Sequence, residues 1–90
     1  MATVFVLHRV LDYDIWRTVY DRAKSMQDAG GVLGEAVFRT ESDPNNVLVM
    51  HRFASLEAAH TYFEQPELQE AVREAGVDEN SVRLEFYEEA

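Results

Sequence analysis

Ninety residues with 17 acidic against 8 basic side chains, a formal charge of −9, fit one domain spanning residues 1–90 and lack the cation clusters that nucleic acid or an anionic membrane requires. The absence of cysteine removes disulfides, thiol catalysis and thiolate metal sites together. No apolar run approaches membrane-spanning length and Met1-Ala2-Thr3-Val4 has no basic leader, so a cytoplasmic protein is expected.

Thr3 to Val10 reads as a first strand, rich in β-branched and aromatic residues. Val4, Val6 and Val10 share one face and Phe5 and Leu7 the other, so both faces need cover. Asp12 or Asp14 caps a helix with Tyr13, Trp16, Val19, Tyr20, Ala23 and Met26 on its inward stripe. Gly30-Gly31 ends it, because glycine accepts the left-handed conformation that closes helices. Val32–Thr40 and Val47–Phe53 are the second and third strands, with Asp43-Pro44-Asn45-Asn46 as the turn between them. Ser55 caps a short helix carrying Leu56, Ala59 and Phe63. Pro66 interrupts that helix and suits the first turn of another, with Leu68, Ala71, Val72 and Ala75 on one face and Gly76 at its end. Val82, Leu84 and Phe86 alternate with Arg83, Glu85 and Tyr87 as a half-exposed fourth strand.

The order β-α-β-β-α-β specifies an α+β, ferredoxin-like fold: a four-stranded antiparallel sheet with helices on one face. Two segments look like copies from a duplicated unit, Val6-Leu7-His8-Arg9-Val10 and Val49-Met50-His51-Arg52-Phe53. Both then place a histidine on the sheet face beneath the helices. Phe5, Leu7, Leu48 and Met50 fall together on the open face, a patch too apolar to leave in water. A second copy related by a two-fold axis covers it most simply, so a homodimer is expected.

The run Asp43-Pro44-Asn45, Val47-Leu48-Val49-Met50-His51-Arg52-Phe53, Ser55-Leu56-Glu57-Ala58-Ala59 and Gln65-Pro66-Glu67-Leu68 resembles the dimeric α+β-barrel superfamily, and within it the antibiotic-biosynthesis-monooxygenase-like group. The resemblance spans nearly the whole chain and identifies a fold family rather than a reaction. It implies a small apolar or aromatic ligand bound between sheet and helices, and cofactor-independent monooxygenase chemistry on a polyketide-like metabolite. His8 takes the place of a polar residue, commonly asparagine, at the end of the first strand. Phe53 stands where tryptophan is usual, and Tyr62 where many members carry a histidine. The position matching the iron ligand of the haem-degrading branch is Val72, so no haem and no other cofactor is expected.

His8 is therefore the candidate base and Tyr62 a second catalytic contact, with Trp16, His51 and Phe53 as pocket walls. The plain alternative for each is core packing, and for Tyr20 packing is the expected role. Arg9 and Arg52 share the parity of the open apolar face, where an ion pair between subunits would satisfy them. Glu57 and His60 form half of a carboxylate–histidine pair without further converging ligands, so a surface contact is expected and no metal site. Two other functions fit this pattern: a ligand-binding or oligomerisation module without turnover, and a small isomerase. The isomerase needs Arg9 or Arg52 in the pocket to hold an acid.

Overall fold

The computed structural model describes residues 1–90. Its elements are β1 (Ala2–Arg9), α1 (Tyr13–Arg22), α2 (Lys24–Ala29), β2 (Gly34–Thr40), β3 (Asp43–Phe53), α3 (Leu56–Phe63), α4 (Pro66–Glu74), a 3-10 turn (Glu79–Ser81) and β4 (Arg83–Glu88). The sheet order is β2-β3-β1-β4, antiparallel throughout, which is the ferredoxin-like arrangement read from the alternation of the strands. Val4, His8 and Val10 are buried on one face of β1, and Val47, Val49, His51 and Phe53 on the same face of β3.

The caps form as expected. Asp12 accepts from the amides of Asp14 at 2.8 Å and Ile15 at 3.3 Å, and Ser55 accepts from Ala58 at 3.1 Å. Pro66 opens α4, where its missing N–H costs nothing, and Gly76, at φ +74°, closes it. Val72 lies in the middle of α4.

Three boundaries differ from the sequence reading. The first helix breaks at Ala23 (φ −84°, ψ 5°), so Met26 and Gln27 belong to a separate short helix angled over the sheet. The second strand begins at Gly34 rather than Val32. The hairpin turn falls at Glu41-Ser42, and β3 starts at Asp43, four residues earlier than expected. Pro44 to Asn46 suit a turn by residue type, yet β1 captures them as strand: Arg9 pairs with Asn46, and the Val10 amide donates to the Asn45 carbonyl at 2.9 Å. Pro44 is accommodated because the β2–β3 register slips between Arg39 and Thr40, a bulge that needs no N–H there.

The surface pairs also differ. Arg9 is joined to Asp43 of its own chain, so it is already satisfied without a partner subunit. His60 stacks on Phe86, ring centroids 4.1 Å apart, instead of contacting Glu57.

Candidate active site

The helices do not seal against the sheet. Between them lies a cavity of about 330 Å³, lined by 20 residues of which 15 are hydrophobic. Val6, His8, Val49 and His51 form its floor; α1 contributes Trp16 and Tyr20, α3 contributes Tyr62 and Phe63, and α4 contributes Leu68 and Val72. The lining residues Val82 and Leu84 are also solvent-exposed, so the cavity opens along β4, with Gln69 and Glu79 as a polar rim. No arginine or lysine lines it.

Aromatic packing builds the walls. Tyr13, Trp16 and Tyr20, three and four apart on α1, form a continuous stack with centroids 5.7 and 4.8 Å apart. The Arg39 guanidinium covers the outer face of Tyr13 at 3.8 Å, which fixes the end of the stack. The indole of Trp16 reaches His8 at 5.6 Å.

The histidines lie on one sheet face but far apart. Antiparallel pairing sets His8 against Val47 and His51 against Val4, so four residues of strand, about 14 Å, separate them. Both are buried, and Nδ1 of each lacks a hydrogen-bond partner. Burial lowers both pKa values, that of His51 to about 4, so both rings are neutral at pH 7.

His51 is the more elaborately held. Tyr20 and Tyr62 stand at 6.1 and 5.8 Å from its ring, with Phe63 stacked at 6.2 Å. Its Nε2 is 3.1 Å from the Tyr20 hydroxyl, which lies 2.5 Å from Glu35 Oε1. A carboxylate oxygen only accepts, so Tyr20 donates to Glu35, and His51 Nε2–H donates to Tyr20. That assigns the tautomer and leaves Nδ1 with a lone pair.

Of the residues singled out by sequence, His8, Trp16, His51 and Tyr62 line this one cavity. His8 and Tyr62 do not meet: His8 contacts Trp16, whereas Tyr62 contacts His51. Phe53, expected as a pocket wall, is fully buried one layer behind, packed on Tyr62 and Phe63 at 5.6 and 6.0 Å. It supports the wall without lining it. Neither Arg9 nor Arg52 reaches the cavity.

None of the family profiles compared matches the chain, nor does any curated protein sequence. Solved structures do match. SnoaB, a cofactor-independent oxygenase from Streptomyces nogalater, superposes with a TM-score of 0.81 at 11% identity, over 99% of this chain and 92% of that one. A candidate antibiotic biosynthesis monooxygenase from Deinococcus radiodurans gives 0.74 at 18% identity, over 100% and 93%. A conserved protein from Methanosarcina mazei Go1 gives 0.69 at 10% identity, over 99% and 92%. The chain has the antibiotic-biosynthesis-monooxygenase-like fold.

Within that fold the sequence reading missed Tyr20, assigned to packing, and Glu35, which it did not consider. Glu35 pairs with His51 across β2 and β3, and its parity with Val37 places it on the helix-covered face. A lone carboxylate at that parity was the available signal.

Gly30 has a role apart from ending a helix. Its φ of −81° suits any residue, and the left-handed residue is Gly31 at φ +89°. A Cβ on Gly30, however, would stand 2.3 Å from Cδ1 of Tyr62. Gly30→Ala is expected to push that ring toward His51 and destabilise the protein by about 2 kcal/mol. Urea melts would show it, and a midpoint equal to wild type would refute the tight contact.

Proposed function

We propose that this protein is a homodimeric, cofactor-independent monooxygenase acting on an aromatic, polyketide-like phenol or quinol held between sheet and helices. The observation that carries this reading is the apolar cavity with two neutral imidazoles, His8 and His51, in its floor. An electron-rich ring that loses a proton can react with oxygen directly. The protein then needs only to exclude water, accept the proton and orient the ring. His8 serves as the base, because Nδ1 of His51 is sealed from the cavity and its Nε2 is held by Tyr20. His51, locked by Tyr20, backs the far end, Trp16 stacks along the ligand beside His8, and the Tyr62 hydroxyl, kept protonated because burial pushes it up to about 12, remains a donor. The keto tautomer of such a phenol carries a ring methylene, and its oxidation to a carbonyl supplies four electrons, so that one oxygen atom enters the product and the other leaves as water.

The cavity also bears on the other two functions. A module without turnover predicts a filled core, and an isomerase of small acids needs a cationic anchor that the lining lacks. The dimer uses the open sheet face, where Phe5, Leu7, Leu48 and Met50 are only half-buried within one protomer and Phe38 is exposed.

An oxygen electrode tests the activity with a panel of dihydroxyanthracene-type quinols. Uptake without peroxide release is expected, slowed on the order of 100-fold in His8→Gln. No uptake across the panel by folded protein would end the oxygenase reading.

A further inference from the structure

Gln27 is a polar side chain with nothing to bond. It is only 3% exposed and lines the apolar cavity, yet its amide makes no hydrogen bond within the chain. The amide is not sealed either: the buried polar atoms that are both closed off and unpartnered are Nδ1 of His8 and Nδ1 of His51. Gln27 also borders a polar niche of about 240 Å³ with Arg17, Asp21, Lys24 and Glu35. Those four charged groups offer donors and acceptors, and the amide takes none of them, so the cavity is the space it serves. We propose that Gln27 is a specificity-determining residue: its amide bonds an uncharged hydroxyl or carbonyl on the end of the ligand away from His8, so that the cavity selects aromatic ligands bearing oxygen at both ends. The inference rests on the reading of the cavity as a ligand site, and it assigns that ligand a second polar contact.

The neighbours of Gln27 place it at that end. Met26, beside it on α2, packs against the cluster that holds Tyr62, and Gly30 at the end of α2 stands against the Tyr62 ring. Tyr20, which shares both spaces with Gln27, bonds His51. His8 lies at the other end, beside Trp16.

The chemistry of the lining sets what the amide can hold. An amide carries a carbonyl acceptor and two N–H donors, so it matches a hydroxyl, which accepts and donates, or a carbonyl, which accepts. A carboxylate on the ligand would find no cation: the lining has no lysine or arginine, both imidazoles are neutral, and its one carboxylate is Glu79 at the rim. Gln69, the other amide of the lining, is exposed at that rim and already meets water. A buried amide without a partner penalises every ligand that leaves it unpaired, which is how such a site rejects an analogue lacking one oxygen.

The test compares 2-hydroxyanthraquinone, with a hydroxyl at one end, and 2,6-dihydroxyanthraquinone, with one at each, under conditions that keep the phenols neutral. Trp16 is the sole tryptophan and lies in the cavity wall, so quenching of its fluorescence reports occupancy. Wild type is expected to bind the dihydroxy compound about tenfold more tightly, the worth of one added hydrogen bond in a buried site. Gln27→Met keeps the length of the side chain and removes the amide. It is expected to erase that tenfold step while holding 2-hydroxyanthraquinone, whose hydroxyl can stay at His8, within about twofold of wild type. Its urea midpoint is expected to equal or exceed that of wild type, because no internal bond is lost. A step that is absent from wild type or survives in Gln27→Met would overturn the assignment and leave the cavity reading standing. Equal weakening of both compounds, or a lowered midpoint, would show an amide that serves the fold and would also overturn it. No quenching of wild type by either compound would remove the cavity reading and the role of Gln27 with it.

Discussion

Leu48→Glu is expected to destroy the proposed dimer, leaving a monomeric, aggregated or unfolded chain. Leu48 sits near the centre of the helix-free sheet face, opposite Leu7 on β1 and Phe38 on β2. Around it, Phe5 meets Tyr87 edge-on at 5.7 Å, and Phe38 and Tyr87 remain 53% and 49% exposed in the single protomer. An apolar centre of this kind, flanked on β4 by Arg83 and Glu85, is what an obligate interface covers, on the order of 2,000 Å² in total. Across a two-fold axis each new carboxylate would be buried facing its own copy, while the arginines of this face stand apart from it: Arg9 is held by Asp43, Arg83 lies beyond Leu7 on β4, and Arg52 is four residues along β3. Burying an unpaired charge costs about 3–5 kcal/mol. Glu88→Lys, on an exposed edge, should leave the dimer intact. Sedimentation of the three proteins decides the matter, and a wild-type monomer at micromolar concentration would overturn the dimer.

The legible parts of this fold were those set by local chemistry. Alternation and caps placed the strands, and Ser55, Pro66 and Gly76 placed the helix ends. The errors fall where long-range pairing outweighs local preference. Pro44, Asn45 and Asn46 are turn residues that β1 recruits into a strand, and Ala23, an excellent helix former, is nevertheless where α1 ends and α2 begins. The site divides the same way. Parity put His8 and His51 beneath the helices, and the α1 stripe put Trp16 there. The roles of Tyr20 and Glu35 depend on β2 lying beside β3 in one register, which joins residues 15 and 31 positions apart. Nothing local to Tyr20 distinguishes it from a packing tyrosine. His8 and His51 sit in nearly identical copied segments, and only their tertiary neighbours separate them: Trp16 beside His8, Tyr20 and Tyr62 beside His51.

Stability is expected to fall steeply as pH drops from 7 to 4, chiefly through His51. Its pKa is 6.5 ordinarily and about 4 in the fold, because burial opposes the charged ring. Between these values the unfolded chain binds a proton that the native chain does not, so acid favours unfolding across that window. The contribution is complete above pH 6.5 and lost once pH passes below about 4. A shift of that size corresponds to about 3 kcal/mol. His8 is lowered by the same cause and adds in the same direction. Asp43 acts in a lower window: the hydrogen bond from Arg9 holds its carboxyl below the usual 3.8, and the stability it lends disappears only as pH falls through that region. Urea denaturation at fixed protein concentration, at intervals from pH 7 to 4, should give a falling midpoint in wild type. His51→Gln can still bond Tyr20 but cannot titrate, and should flatten most of that slope. A wild-type midpoint constant across the window, or an equal slope in His51→Gln, would show that the ring is not buried neutral.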